Sequence, residues 1–176
     1  MLTRRLTIAL IAALWFGSGL GSSVARADGG PPDTPAWRAN TGVVTGLGLS
    51  LLVPQHGNVG FGADFSGRYG IPLGPLILGP GASIGGYYLQ SHFIGDLMAT
   101  LRLTVPLGPL APFGHAGIGP GLITNPERGG AAWMAGGGLA LHLKVITLGL
   151  EVNYFAITST FFKTLVFGPT IGFGGG

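Results

Sequence analysis

Six ionisable residues sit where their chemistry depends on their surroundings: Asp64, Arg68, Arg102, His142, Lys144 and Glu151. Each lies in a stretch that alternates between apolar and small-or-polar residues, and each falls on the small-or-polar side. A charge withdrawn from bulk water has to be compensated by a partner. The pattern therefore predicts an interior charge network, with Glu151 accepting from Arg102 or His142, and Asp64 from Arg68 or Arg102. In this reading a tight turn near Ile146 places His142 and Glu151 nearly opposite one another. The alternative is that these groups line a wet interior without defined pairs.

Other chemistry is sparse. The histidines at 56, 92, 115 and 142 show no metal-ligand spacing, and His115 stands among glycines as a packed or hydrated side chain. There is no G-x-S-x-G elbow and no legible acid–His–Ser order. The glycine-rich runs lack the Lys-Ser/Thr ending of a phosphate-binding loop. The chain has no cysteine, so disulfides, thiolate metal sites and a lipid-modified N-terminal cysteine are excluded. The expectation is a protein without a catalytic site, metal or cofactor.

The elements that carry these side chains are strands. In Val59–Ile71 the odd positions hold Val59, Phe61, Ala63, Phe65, Tyr69 and Ile71, and the even ones Asp64, Ser66, Arg68 and glycines. In Asp96–Pro106 the odd positions hold Leu97, Leu101, Leu103 and Val105, against Asp96, Thr100, Arg102 and Thr104. Successive strand side chains point to opposite faces, so each segment has one apolar face. Gly42–Leu52, Leu76–Tyr88, Ala111–Leu122, Trp133–Val145, Leu148–Phe155 and Leu165–Phe173 repeat the pattern with lower contrast, giving eight strands. Ile71-Pro-Leu-Gly-Pro-Leu76 recurs as Val105-Pro-Leu-Gly-Pro-Leu110, an interval that fits one hairpin plus its return turn. Longer connections are expected at one end: Pro54–Asn58, Gln90–Gly95, Ile123–Ala132 and Ile157–Lys163.

Composition decides which face meets water. The 176 residues are 47% hydrophobic and only 9% charged, with 35 glycines. A soluble domain carries about a quarter charged residues. A barrel with its apolar faces inside would have almost no charge to show to water. Turning the apolar faces outward into lipid removes the difficulty. A ten-residue strand rises about 33 Å, and tilted by roughly 40° it covers the apolar band of about 25 Å found in membrane barrels. Tyr88, Trp133 and Tyr154 fall on the apolar face at one set of strand ends, and Tyr69 and Phe173 at the other, as two aromatic girdles. A sheet in hydrocarbon must close, because open edges leave backbone groups unpaired. Eight strands leave an interior that side chains can fill, so no wide pore is expected. A bundle of glycine-rich membrane helices fits less well, since Pro72, Pro75 and Pro80 would break one helix and period-two alternation has no helical cause.

The N-terminal segment reads as an export signal. Arg4 and Arg5 precede the apolar run Leu6–Phe16, and Ala25-Arg26-Ala27 is a cleavage pattern. The chain therefore divides into a signal peptide at 1–27, a flexible periplasmic leader at 28–40 and a barrel at 41–176. Removing residues 1–27 takes the net charge from +3 to zero, leaving no basic patch for nucleic acid.

Pro112-Phe-Gly-His-Ala-Gly-Ile-Gly119, Trp133-Met-Ala-Gly-Gly-Gly-Leu-Ala-Leu141 and Leu148-Gly-Leu-Glu-Val-Asn-Tyr154 resemble consecutive strands of the small OmpA/OmpX-type outer-membrane barrels, and the likeness spans residues 41–173. That resemblance implies a closed antiparallel up-and-down all-β barrel in the outer membrane of a Gram-negative cell envelope. It implies partners in outer-membrane lipid, lipopolysaccharide and the insertion machinery, and a monomer. The chain departs from the pattern in placing three glycines after Phe173, and Pro80, Pro112, Pro120 and Pro169 within strands, where each removes a ladder donor. The favoured function is a non-catalytic barrel with a structural or surface-interaction role. Alternatives are a narrow channel or small-molecule binder, and a lipid A-modifying enzyme built on His92 near Ser91, or on His56.

Overall fold

The structure is a computed structural model and describes residues 35–54, 58–124, 127–143, 146–158 and 162–174. A short helix α1 (Pro35–Asn40) leads into β1 (Gly42–Pro54), β2 (Gly60–Leu73), β3 (Leu76–Leu89), β4 (His92–Thr104), β5 (Leu110–Ile123), β6 (Arg128–Leu143), β7 (Ile146–Ile157) and β8 (Phe162–Gly174). Every strand pairs antiparallel with its sequence neighbour, and β8 returns to β1 to close the barrel. Among the described residues no helix is long and apolar enough to cross a membrane; the long apolar surface is built from strands. The signal peptide and its cleavage site lie outside the described residues.

The apolar faces all turn outward. Val43, Leu47, Leu49 and Leu51 of β1 are exposed while Val44, Gly48, Ser50 and Leu52 between them are buried. The same parity runs through Phe61 and Phe65 of β2, Ile84 of β3, Leu101 of β4, Ile118 of β5, Leu139 of β6, Leu150 of β7 and Leu165 of β8. Exposed leucine on a soluble barrel would forfeit about 1.5–3 kcal/mol for each side chain left in water, so a continuous belt of them identifies the surface that faces hydrocarbon. Tyr88 packs on Phe61 with ring centroids 5.9 Å apart, and Trp133 on Tyr154 at 5.3 Å, all at the end away from α1. Phe93, paired with Tyr88, joins them. Tyr69 and Phe173 lie on the same outer face at the α1 end.

The sequence repeat forms two equivalent turns. Leu73 pairs with Leu76 across Gly74-Pro75, and Leu107 bridges Leu110 across Gly108-Pro109. Gly74 and Gly108 have φ of 61° and 65°, the left-handed start that a two-residue hairpin with glycine first requires. The strand prolines keep the register but thin the ladders. Pairing skips Pro80 between β2 and β3, Pro120 between β4 and β5, and Pro169 between β1 and β8, each time on one side only. On their other sides they pair with Leu101, Ala131 and Leu150. Each proline has only an acceptor to offer, so one neighbouring strand loses a bond.

Three expectations need correction. The connections away from α1 are short: residues 90–91 join β3 to β4 where Gln90–Gly95 was expected, and 124–127 and 158–161 replace the longer loops. The marked difference in loop length between the two ends is absent, because 105–109 at the α1 end is as long as 55–59 opposite. Strands run on further than their alternation suggested because Ile94, Phe155 and Ile157 are apolar yet face inward, which erases the contrast at that end. The leader is also not flexible throughout. Residues 35–40 form α1, and Ala39 and Asn40 are buried.

Candidate functional site

The lumen is the one place where polar groups converge among the described residues. Its charged side chains are flanked across the ladders by glycine. Asp64 faces Gly48 and Gly85, Arg68 faces Gly81, Arg102 faces Gly79, and Glu151 faces Gly138 and Gly168. The glycines make room: a methyl at Gly48 would stand 2.9 Å from the Asp64 carboxyl carbon, and one at Gly79 3.0 Å from the Arg68 side chain. Long side chains therefore fill an interior whose walls are thinned where they lie. A cavity of about 80 Å³ remains among Asp64, Arg68, Arg102, His115, Glu151 and Asn153, room for on the order of five waters.

The charged groups bond to neutral neighbours rather than to one another. Ser50 donates to Asp64 at 3.4 Å, and Asn153 Nδ2 donates to Glu151 at 3.0 Å. His115 Nε2 donates to the Asn153 carbonyl oxygen, so His115, Asn153 and Glu151 form a relay. Arg68 donates to Asn40 Oδ1 at 2.9 Å. Arg102 donates to Thr104 Oγ1 at 3.4 Å and lays its guanidinium over the Phe113 ring, 3.4 Å from the centroid. A cation stacked on an aromatic face is attracted by the ring quadrupole, the more so when desolvated.

The structure thus gathers Asp64, Arg68, Arg102, His142 and Glu151 into one lumen but replaces the expected direct pairs. Glu151 does not meet His142. β6 ends at Leu143 and β7 begins at Ile146, so the turn comes two residues earlier than expected, and His142 pairs with Thr147 and Glu151 with Gly138. Asp64 and Arg68, two pleats apart on β2, reach in opposite directions along the barrel, to Ser50 and to Asn40. Lys144 and His56 lie outside the described residues. His115 is inward, as expected, and no cluster of metal-binding side chains occurs among the described residues.

Several lumen residues were not singled out from sequence. Asp96 is 8% exposed, and its Oδ2 has no hydrogen-bond partner although the Tyr87 hydroxyl ends beside it over Gly85. Its place in the alternation of β4, on the face of Thr100 and Arg102, was the available signal. Asn153, Thr147 and Asn40 are uncharged, and only the register identifies them as partners.

Packed side chains lie towards both ends of the lumen. Away from α1, Leu52, Tyr87, Ile94, Met98, Phe155, Ile157 and Val166 pack into an apolar cluster inside the barrel, with Tyr87 and Phe155 rings 5.9 Å apart and Phe162 edge-on to Phe155 at 6.1 Å. At the other mouth α1 lies against β1, β6 and β8, above Ala111, Phe113 and Ala140. Carboxylates occupy the middle and the apolar-cluster side of the lumen, guanidiniums the α1 side.

No protein-family description matches the chain, and no curated protein is similar to it in sequence. Solved structures share its architecture. Neisserial surface protein A superposes with a TM-score of 0.58 at 10% identity, over 75% of this chain and 95% of that one. The outer membrane enzyme PagL gives 0.59 at 9% identity, over 73% and 99%. The N-terminal β-barrel domain of Pseudomonas aeruginosa OprF gives 0.51 at 16% identity, over 74% and 96%. At these identities the likeness is one of fold.

Proposed function

We propose, from the premise that this chain carries the fold of the small eight-stranded OmpA/OmpX-type outer-membrane barrels, that it is an exported, non-catalytic outer-membrane protein with a structural or surface-interaction role. Export uses the signal peptide, cleaved after Ala27, and the mature chain inserts as a monomer through the outer-membrane insertion machinery. Lipid and lipopolysaccharide then cover the outward apolar belt. The observation that carries the reading is a lumen plugged by an apolar cluster away from α1, inside a wall of outward leucine, isoleucine and phenylalanine. A barrel plugged in this way has no through passage and offers its partners chiefly its outer wall and its rims. The packed cluster of Tyr87, Phe155 and Phe162 argues against the narrow-channel alternative.

Three measurements on the mature chain test this. Heat-modifiable gel migration of the membrane fraction and silent planar bilayers are expected. Stepwise conductance overturns the plugged-lumen reading, and solubility without detergent overturns the membrane reading. PagL is described as an enzyme, so lipid A from cells expressing this chain is also to be compared by mass spectrometry. A loss of acyl chains that disappears on His92→Ala overturns the non-catalytic reading.

A further inference from the structure

Asn40, the last residue of α1, carries its amide into the mouth of the barrel and is 1% exposed. Both ends of that amide are engaged. Oδ1 accepts from the Arg68 guanidinium at 2.9 Å, and Nδ2 donates to His142 Nε2 at 2.9 Å. A guanidinium can only donate, so it fixes which end of the amide is oxygen. The other end must then be the NH₂ group, and the imidazole facing it must accept. His142 Nε2 is therefore unprotonated and Nδ1 carries the proton, which goes to Thr147 Oγ1 at 2.7 Å. This set of bonds admits one protonation state of the ring.

The seat for α1 is also built into the backbone. A side chain at Gly70 would run into the Asn40 carbonyl, so β2 has a gap where the end of the helix lies. Gly42, with φ of 72°, turns the chain from the helix into β1.

We infer that α1 is a pH-sensitive latch on this mouth, held while His142 is neutral and released when the ring takes a second proton. On protonation, Nε2–H confronts the Asn40 NH₂ group, donor against donor. Turning the amide over only moves the conflict to Arg68. No orientation of Asn40 satisfies both neighbours. The charged groups facing His142 set how acid the release must be: Arg68 from β2 and Arg102 from β4 are both cationic and oppose a second proton on the ring. Thr147 on β7 is neutral, and Glu151 lies two pleats further along that strand. Arg38 on α1 is exposed, and Lys144 lies outside the described residues. Release opens the polar cavity from the α1 side, while the apolar cluster still closes the far side. The lumen then has access from one side without a through passage. The inference needs only the barrel and α1, and it stands whatever the role of the outer wall.

Hydrogen–deuterium exchange of the folded mature chain in lipid vesicles tests it, with protection corrected for the intrinsic pH dependence of exchange. Between pH 7.5 and pH 3.5, protection at residues 39–42 should fall by about tenfold or more. His142→Gln places an acceptor near the position of Nε2 and cannot titrate, so it should keep its protection at both pH values. Gly70→Val should lose protection at both, with the strands still protected. Constant protection in the unsubstituted chain, or an equal fall in His142→Gln, overturns the latch. A second readout needs no variant: nitrogen-15 spectra of His142 at pH 7.5 should show the Nδ1-protonated tautomer, and an Nε2-protonated ring refutes the proposal.

Discussion

Replacing Leu49 by arginine tests the inside-out arrangement directly. Leu49 projects from near the middle of β1, is 61% exposed on the isolated barrel, and is flanked by buried Gly48 and Ser50. If its surroundings are acyl chains, the arginine at this depth costs about 2–4 kcal/mol, whereas the same change near an interface costs about 0–1 kcal/mol. Leu73 at the β2–β3 turn is the matched control, 51% exposed and likewise outward. The difference of roughly 2–3 kcal/mol corresponds to a factor of about 30–150 in the folding equilibrium. Reversible urea unfolding in phospholipid vesicles, followed by tryptophan fluorescence, reads both variants, with the slope in denaturant confirming that the exposed surface is unchanged. In a water-facing barrel, arginine for an exposed leucine is neutral or mildly favourable. Equal cost at positions 49 and 73 therefore refutes the lipid-facing assignment.

Further outcomes follow from the lumen. Glu151→Ala leaves the Asn153 amide and the nearby guanidiniums without their carboxylate, and should lower stability by about 1–3 kcal/mol; unchanged heat resistance on gels counts against a defined interior. Gly48→Ala pushes a methyl onto the Asp64 carboxyl and should cost about 1–3 kcal/mol. Gly67→Ala meets nothing within 4 Å on the outer face and should stay within about 0.5 kcal/mol, so equal effects on urea midpoints would refute the role given to inward glycine. Phe155→Ala removes a 2%-exposed ring from the apolar cluster and should cost about 3–5 kcal/mol; a smaller loss with new conductance would show that the cluster seals the lumen without stabilising it.

Alternation along Val59–Ile71 and Asp96–Pro106 was enough to assign strands, faces and the lipid side, because a two-residue period has no other physical cause and a chain with 9% charge cannot cover itself in water. The Gly-Pro turns were equally legible, since glycine at positive φ before proline is a local requirement. Strand ends were not. Ile94, Leu52, Phe155 and Ile157 are apolar on the inner face, so the pattern vanishes where the lumen is plugged.

Partners across the lumen were beyond reach for a different reason. A hydrogen bond between Asn40 and His142 joins residues 102 positions apart, and it exists only once the barrel has closed. Four residues of register across the β6–β7 turn decided whether His142 met Glu151 or Thr147. Local sequence determined which side of the wall each side chain occupies, because pleating is a property of the chain itself. Only the closed sheet decided which of those side chains touch, because contact across a barrel depends on the stagger of all eight strands together.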